Sequence, residues 1–393
     1  MLKLRSTLLY FSILVFSFSF SQTWEPVGGG LTGGDTTHNA NDRPVASLCV
    51  YNNKLYAGGS FAYADKLKAN HIACWNGSKW DTLSNGTNNK VFALCVYDKM
   101  LAAGGYFTRA GRRKANYIAF WNDTLQNWKP IDNSLTGGPT IVSRGYITPT
   151  IINLITYNGN LYAIERSMAE DKHFSENRIA KWTDKNWTWL AKSEISKGNY
   201  WDEHYNIDGF PDKFAVHKGK LYFSRDNNAA GLSKLYTWDG DTMKLLEKSS
   251  TDPKDWITCI YSDDSALFVA KNLDHGIDIE KWDGKAWLKM SLSNKWFCNI
   301  YALVEYKGKL YAGGTIDSVN GKPANGIACW DGKIWNPVGS GFLSSKNVNA
   351  CVYSLCVYNG ELYAAGDFNS SGGKPMMNIA KLNLNGTTTK SKK

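Results

Sequence analysis

The sequence predicts an all-β fold, because one unit of four short apolar segments recurs along almost the whole chain. The second segment of each copy carries a leucine, which is Leu55, Leu101, Leu161, Leu221, Leu267, Leu310 and Leu362 in turn. The third segment ends in Trp75, Trp121, Trp182, Trp238, Trp282 and Trp330, with Leu382 in the last copy. The leucines lie about 51 residues apart on average, a period typical of propeller blades. We therefore predict a seven-bladed β-propeller of four-stranded antiparallel blades.

The segments have the composition of strands, and the residues between them are those of tight turns. Segments such as SLCVY at 47–51 and KLYAGG at 54–59 are short and rich in β-branched and aromatic residues. The first and second segments are separated by pairs such as Asn158-Gly159 and Asn359-Gly360, and the third and fourth by Asn76-Gly77 and Asp331-Gly332. Asparagine and glycine tolerate positive φ, so we predict two-residue hairpin turns and a meander in each blade.

The two ends of the chain predict how the ring closes. The seventh copy has its first three segments but lacks the fourth. That missing segment is found near the start of the chain, where WEPVG at 24–28 matches WNPVG at 335–339. We predict that the N-terminal strand completes the last blade, which removes the exposed sheet edge of an open array.

The regions outside the repeats predict an exported protein. Residues 1–21 have the pattern of a signal peptide: Lys3 and Arg5 precede an apolar run at 8–20, and the small Ser21 follows it. We expect the propeller to occupy 22–385, and we expect a basic, disordered tail at 386–393. The mature protein is predicted to be secreted or periplasmic, a monomer, and without membrane insertion.

Composition argues against several functional classes. The formal net charge is +10, or two less once the leader has gone, but lysine and arginine are scattered, so we expect no nucleic-acid partner. The six histidines are also scattered, and no calcium-loop pattern is present. We expect no metal, no cofactor and no catalytic residue of a known motif.

The eight cysteines are predicted to be mostly reduced, despite export. Cys49, Cys95 and Cys356 occupy one repeat position, and Cys74 and Cys329 share another. Equivalent positions point to small buried packing residues. Only the Cys298–Cys351 pair stays open as a disulfide, because both residues precede a first strand in adjacent blades.

The repeat resembles the kelch-like propeller unit, seen also in galactose-oxidase-type central domains. The shared features are glycine pairs that close the second strand and the tryptophan of the fourth; the pairs are Gly58-Gly59, Gly104-Gly105 and Gly313-Gly314. The unit is also similar to secreted bacterial repeats that carry Leu-Tyr-Ala-Gly-Gly and Ile-Ala-x-Trp. The resemblance covers roughly 22–385 and implies a fold, not an activity.

Meander topology predicts two unlike faces. The turns between first and second strands, and between third and fourth strands, form one face, which we call the turn face. The remaining loops and the links between blades form the other, the loop face. The loop-face segments are long and irregular, as at 132–149 and 191–211, and function concentrates on such loops.

One sector of the loop face is a candidate site. Blades 3, 4 and 5 replace the second glycine of the pair with Glu165, Arg225 and Lys271. The 191–211 link contributes Trp201, Glu203, His204, Tyr205 and Asp208. Aromatic and charged groups together suit sugar recognition, although a self-packed loop with a local ion pair would have the same composition.

We expect a non-catalytic binding module for a glycan or a protein. Two other readings stay open. One is a polysaccharide-active enzyme in which Glu203 and Asp208 are the carboxylate pair and His204 is a base. The other is a structural or adhesive role.

Overall fold

Seven four-stranded antiparallel sheets, arranged as the blades of a propeller, make up the fold. The structure is a computed structural model that describes residues 21–34, 43–131, 147–169, 175–183, 186–190, 213–227, 232–246, 256–263, 265–273, 276–293, 298–344 and 350–386. In these ranges every regular element is a strand, so the described part of the chain offers no helix with which to cross a bilayer. The predicted fold class and blade number are confirmed.

The strands of each blade are given from the central channel outwards. This is also chain order, except that the fourth strand of blade 7 comes from the start of the chain. Blades 1 to 4 comprise Ser47–Tyr51, Lys54–Gly58, Ile72–Trp75 and Trp80–Thr82; Val91–Tyr97, Met100–Gly105, Ile118–Asn122 and Asn127–Pro130; Ile147–Tyr157, Asn160–Ala169, Ser175–Trp182 and Trp187–Trp189; and Phe214–His217, Lys220–Asn227, Leu232–Trp238 and Met243–Leu245. Blades 5 to 7 comprise Trp256–Ser262, Leu267–Leu273, Gly276–Trp282 and Trp287–Ser293; Ile300–Tyr306, Lys309–Gly314, Ile327–Trp330 and Trp335–Pro337; and Cys351–Tyr358, Glu361–Asp367, Ile379–Gly386 and Ser21–Pro26.

The first strands form a closed ring around the channel. The first strand of every blade contacts the first strand of the next, from blade 1 through blade 7 and back to blade 1. Apolar side chains from adjacent blades fill the space between the sheets, as where Leu48 and Trp80 of blade 1 share a core with Tyr363 of blade 7. Each blade therefore buries its faces against two neighbours, and none has an independent core.

The N-terminal strand completes blade 7, as predicted. Ser21–Pro26 pairs antiparallel with Ile379–Gly386, with Trp24 opposite Leu382. The Trp24 indole is buried, donates to the carbonyl oxygen of Val338 at 3.1 Å, and lies 4.7 Å from the ring of Phe342. Val338 and Phe342 directly follow the fourth strand of blade 6. The Trp24 side chain therefore links blade 7 to blade 6.

The Trp24 contact is one case of a repeated bond between blades. In each case the tryptophan of a fourth strand donates its indole N–H to a backbone carbonyl oxygen of the preceding blade. The accepting residue stands three positions after the tryptophan of that blade's fourth strand. The bonds are Trp80 to Val27 at 2.9 Å, Trp128 to Leu83 at 3.0 Å and Trp335 to Met290 at 3.0 Å. Buried indole N–H groups need such a partner, so the repeated tryptophans fix the spacing of blades as well as filling the core.

Tyrosines bind the turn face together in a similar way. The tyrosine that ends a first strand donates its hydroxyl to a carbonyl oxygen in the first turn of the next blade. These bonds run from Tyr51 to Lys99, Tyr157 to Gly219, Tyr306 to Gly360 and Tyr358 to Asn53, over 2.6–3.1 Å. The turn face is thus largely used for contacts between blades.

The two kinds of turn on this face differ in conformation. Between first and second strands, both turn residues have positive φ, as in Asn158 (47°) and Gly159 (71°), which confirms the predicted two-residue turn outside blade 5. Between third and fourth strands the prediction was wrong in detail. At Asn76-Gly77 and Asp331-Gly332 only the glycine takes positive φ, and the preceding Asn76 or Asp331 accepts two backbone N–H groups through its side-chain oxygen.

The second strands divide the blades into two kinds. In blades 1, 2, 6 and 7 a glycine stands within one residue of the end of this strand. A Cβ on it would lie 1.8–2.1 Å from a carbonyl oxygen at or just before the start of the first strand; these glycines are Gly59, Gly105, Gly314 and Gly366. The following loop then folds into a two-stranded hairpin, as at Arg109–Ala110 and Arg113–Lys114. In blades 3, 4 and 5 the second and third strands continue as one long hairpin.

The cysteines agree with the predicted reduced state. The five residues at repeat positions are free thiols, and Cys351 is also a free, buried thiol, so no Cys298–Cys351 bridge is formed. Cys74 and Cys329 are buried as predicted, but Cys49, Cys95 and Cys356 are only half-buried. The prediction was wrong for these three because they lie on first strands, which border the channel.

Replacing Trp24 by alanine tests the closure. The substitution removes a buried ring and its indole bond, so we expect the free energy of unfolding to fall by about 3–5 kcal/mol. Chemical denaturation followed by tryptophan fluorescence would measure this change. Leu125→Ala, at a residue that is 67% exposed, is the control and should change the free energy by less than about 0.5 kcal/mol. Equal effects would contradict the assigned closure.

Alkylation tests the thiols. Burial raises the pKa of Cys95 and Cys356 to about 12, so the reactive thiolate is scarce at pH 8. We expect iodoacetamide to label the folded protein slowly, and to label all five repeat-position cysteines once the protein is denatured without reductant. A peptide bridge between any two of them, detected by mass spectrometry, would show that the assignment is wrong.

Candidate functional site

Three of the predicted site residues lie at one level of the ring. Glu165, Arg225 and Lys271 each stand four residues after the repeat leucine, on second strands of adjacent blades. In the other blades this position is a glycine at or next to the end of the strand. The strand instead continues past it in blades 3, 4 and 5, so a side chain is accommodated there by the longer hairpin.

Glu165 and Arg225 both lie on second strands, and the Glu165 side chain is buried rather than open to a ligand. Glu165 is buried, with 1% of its surface exposed, and its backbone lies opposite Ile151 and Arg178. Arg225 lies opposite Lys234 on the third strand of blade 4. The Glu165 carboxylate is thus buried on the second strand of blade 3, between the first and third strands. We call this part of the blades the ring wall.

Lys271 is held by its own blade. Its Nζ lies 2.6 Å from Oε2 of Glu280, and Lys289 pairs with Asp278 in the same sheet at 2.5 Å. The ammonium also lies 5.8 Å from the centre of the Trp287 ring. Lys271 thus takes part in ion pairs within its own blade, which agrees with the local ion pair that the sequence left open as an alternative to a binding site.

The remaining predicted residues fall outside the described part of the chain. These are Trp201, Glu203, His204, Tyr205 and Asp208. Their assignment as ligand-binding residues stays a prediction.

The structure brings together a second group that sequence reasoning missed, at the loop-face end of the channel. Arg43 precedes the first strand of blade 1, yet its guanidinium carbon lies 5.7 Å from the centre of the Tyr301 ring and 5.0 Å from that of Tyr353. Tyr301 and Tyr353 belong to the first strands of blades 6 and 7, and their rings are 5.2 Å apart. The Arg43 side chain therefore reaches past blade 7 to blade 6, along the rim of the ring.

Both tyrosines occupy the same kind of backbone position. The register of the first strand shifts by one residue at Tyr301 and at Tyr353, and it shifts equally at Phe92, Ile152 and Thr258. A bulged residue has no partner in the ladder, and the bulge redirects its side chain. Each of these residues stands nine positions before the repeat leucine, a regularity that would have identified the position from sequence.

Lys213 approaches this group from the other side of the ring. It immediately precedes the first strand of blade 4, where its backbone N–H bonds to the Ser224 hydroxyl at 3.2 Å. Burial, followed by the charge of Arg43, lowers the pKa of Lys213 to about 8; Arg166 lowers it further, while Cys259 opposes the shift. Arg43 and Lys213 each stand shortly before the first strand of their blade, so both lie at the loop-face end of the ring of first strands. We call Arg43, Lys213, Tyr301 and Tyr353 the channel mouth.

The neutral groups nearby stay neutral over the physiological range. Burial raises the pKa of Cys259 to about 11 and that of Cys351 to about 12. Burial also raises the pKa of Tyr353 well above its ordinary value. The charged groups of the channel mouth are therefore Arg43 and Lys213, and both are hydrogen-bond donors.

The turn face also carries grooves between blades. One, between blades 5 and 6, has a volume of about 330 Å³ and is lined by residues that include Asp263, Lys281 and Glu305. Among the residues that the structure describes, no group of three or more histidine, cysteine or carboxylate side chains is placed to hold a metal ion.

Comparison with known proteins agrees on the fold. A family described as a domain of unknown function (DUF5122) β-propeller matches residues 359–388, within blade 7. No curated protein matches the sequence. A structure of Ycf48 bound to D1 peptide is 12% identical, with a TM-score of 0.51 over 92% of this chain and 96% of that one. A puromycin-hydrolyzing peptidase from Mycobacterium tuberculosis is 8% identical, with a TM-score of 0.52 over 86% of this chain and 53% of that one. These similarities are to β-propellers.

Lys213→Met tests the electrostatics of the channel mouth. The folded-state pKa of Lys213 lies below its unfolded value, so the charged form costs stability below pH 8, and this cost disappears as the pH rises towards the unfolded value. We expect the variant to unfold with a free energy about 1–3 kcal/mol higher at pH 7. The difference should shrink above pH 9 in denaturant titrations.

The matched control is Lys220→Met, at an exposed lysine of the same blade. It should leave the free energy of unfolding within about 0.5 kcal/mol of the parent at both pH values. A loss of stability in Lys213→Met would contradict the placement of an enclosed cation.

Proposed function

We propose that this protein is an exported, monomeric, non-catalytic binding module whose ligand lies on the loop face. One observation carries the proposal: the channel mouth gathers charged and aromatic side chains from blades 1, 4, 6 and 7. None of them is required by the repeat, since the other blades carry alanine, phenylalanine, isoleucine, aspartate or threonine nine positions before the repeat leucine. Charged and aromatic groups that serve no packing role are typical of binding sites.

The unequal use of the two faces supports the same conclusion. On the turn face, tyrosine hydroxyls and Asx-type side chains are bonded to backbone groups of the turns. The loop face differs from blade to blade, with small hairpins in four blades and long hairpins in three. Variable loops on a uniform scaffold are the usual position of a ligand site.

We favour a glycan over a protein as the ligand. Tyrosine rings and adjacent charged donors match the apolar faces and hydroxyl groups of sugars. The kelch-like character of the repeat is part of this proposal, as are the residues on the 191–211 link. The Ycf48 structure contains a bound peptide, but at 12% identity that likeness extends to the fold alone.

A glycan array probed with the mature protein tests the proposal. We expect binding to a limited set of glycans, and we expect Trp201→Ala and Arg225→Ala to reduce that binding at least about tenfold, because each removes a proposed contact. Their melting temperatures should match the parent, since neither belongs to the repeat core.

Lys281→Ala, in the turn-face groove, is the control and should bind like the parent. If Lys281→Ala or changes at Asn158-Gly159 abolish binding while the loop-face variants do not, the wrong face has been chosen. Release of reducing ends from the bound glycan would instead favour the polysaccharide-active enzyme, with Glu203 and Asp208 as the first residues to replace.

A further inference from the structure

The channel mouth holds two positive charges, and the described carboxylate beside it, Asp367, acts on Cys351. In the described residues, neither Arg43 nor Lys213 forms an ion pair with a carboxylate, in contrast with Lys54, Lys271, Lys289 and Lys381. Arg43 is instead placed over two tyrosine rings, and the charges of Arg43 and Arg166 act on Lys213. Partial burial of a positive charge without a counter-ion costs stability, and a bound anion would offset that cost.

We propose that the channel mouth binds the anionic group of an acidic saccharide, either the carboxylate of a uronic acid or a sulfate ester, between Arg43 and Lys213. This inference deepens the proposed function and rests on it. Guanidinium and ammonium groups both bind oxyanions through charge-assisted hydrogen bonds, and arginine can present two parallel N–H donors. Because the rings of Tyr301 and Tyr353 lie against its planar group, Arg43 is oriented by contacts other than the ligand.

The position of the charges favours a saccharide over a nucleic acid. Arg43 contacts first-strand residues of two other blades, and Lys213 immediately precedes a first strand, so both stand at the loop-face end of the ring of first strands. A single projecting sugar acid can enter such a site, whereas nucleic-acid binding usually follows an extended basic surface. The formal net charge of +10 would attract an acidic polymer to the protein at long range.

The test is a titration of the full-length mature protein with three tetrasaccharides: tetragalacturonate, a sulfated chondroitin tetrasaccharide and neutral cellotetraose. We expect one or both acidic probes to bind, with an affinity that falls as salt increases, and we expect cellotetraose to bind at least about tenfold more weakly. Comparison of the two acidic probes distinguishes the carboxylate from the sulfate ester.

Variants then locate the site. Arg43→Gln and Lys213→Met should each weaken binding of the acidic probe by about 10- to 100-fold, the usual effect of losing a charged hydrogen bond. Lys213→Met is expected to be more stable than the parent, so its loss of binding cannot be attributed to unfolding. Arg113→Gln is the matched control, since it removes one exposed positive charge from the same face, on the hairpin of blade 2.

The pH dependence supplies an independent readout. Affinity for the acidic probe should fall between pH 7 and pH 9 as Lys213 loses its charge, and the fall should be absent in Lys213→Met. Burial raises the pKa of Cys259, which also acts on Lys213, to about 11, so this thiol does not titrate between pH 7 and pH 9.

Three results would overturn the proposal. The first is equal binding of cellotetraose and the acidic probes. The second is a loss of binding in Arg113→Gln that exceeds the loss in Arg43→Gln. The third is binding of an oligonucleotide or an acidic peptide in preference to both acidic tetrasaccharides. A neutral glycan that still binds the loop face would leave the proposed function intact, whereas binding abolished only by turn-face variants would overturn both.

Discussion

The pairing of Ser21–Pro26 with Ile379–Gly386 is the constraint on which the rest of the structure depends. Every blade buries its two faces against its neighbours, so an open array would leave two faces and one sheet edge exposed. Trp24 bonds to Val338 of the preceding blade, and the same tryptophan-to-carbonyl bond recurs at other junctions. Once the ring is closed, the first strands define a channel whose two ends have different surroundings.

The close approach of two strands explains why only blades 3 to 5 carry a charged side chain four residues after the repeat leucine of the second strand. Where glycine follows the second strand, the backbone of the first strand approaches too closely for any side chain. Blades 3 to 5 lack that glycine, extend their hairpins, and place Glu165 and Lys271 in the wall. Lys271 is neutralised by Glu280, whereas Arg43 and Lys213 form no ion pair with a carboxylate of the described residues. A paired charge in the wall, such as Lys271, is compensated within its own blade. The unpaired cations of the channel mouth lower stability and are available to bind an anion.

Much of the fold could be predicted because its signals are local and repeated. The leucine and tryptophan positions gave the blade number, and the match between 24–28 and 335–339 gave the closure. The site was harder to predict. Arg43 gains its role only when blades 1, 6 and 7 are brought together, and nothing near it in sequence indicates that contact. The half-buried Cys49, Cys95 and Cys356 were misjudged for a related reason: repetition reveals equivalent positions, but not which of them face the channel.

The bulge in the first strand makes the channel mouth open to evolutionary change. A bulged residue lies outside the hydrogen-bonded ladder, so its side chain can be exchanged without breaking strand pairing. This chain has phenylalanine, isoleucine, threonine and tyrosine at that position in different blades. The same scaffold thus provides a ring of positions at which selection, or a designer, could alter what is recognised while every blade keeps its packing.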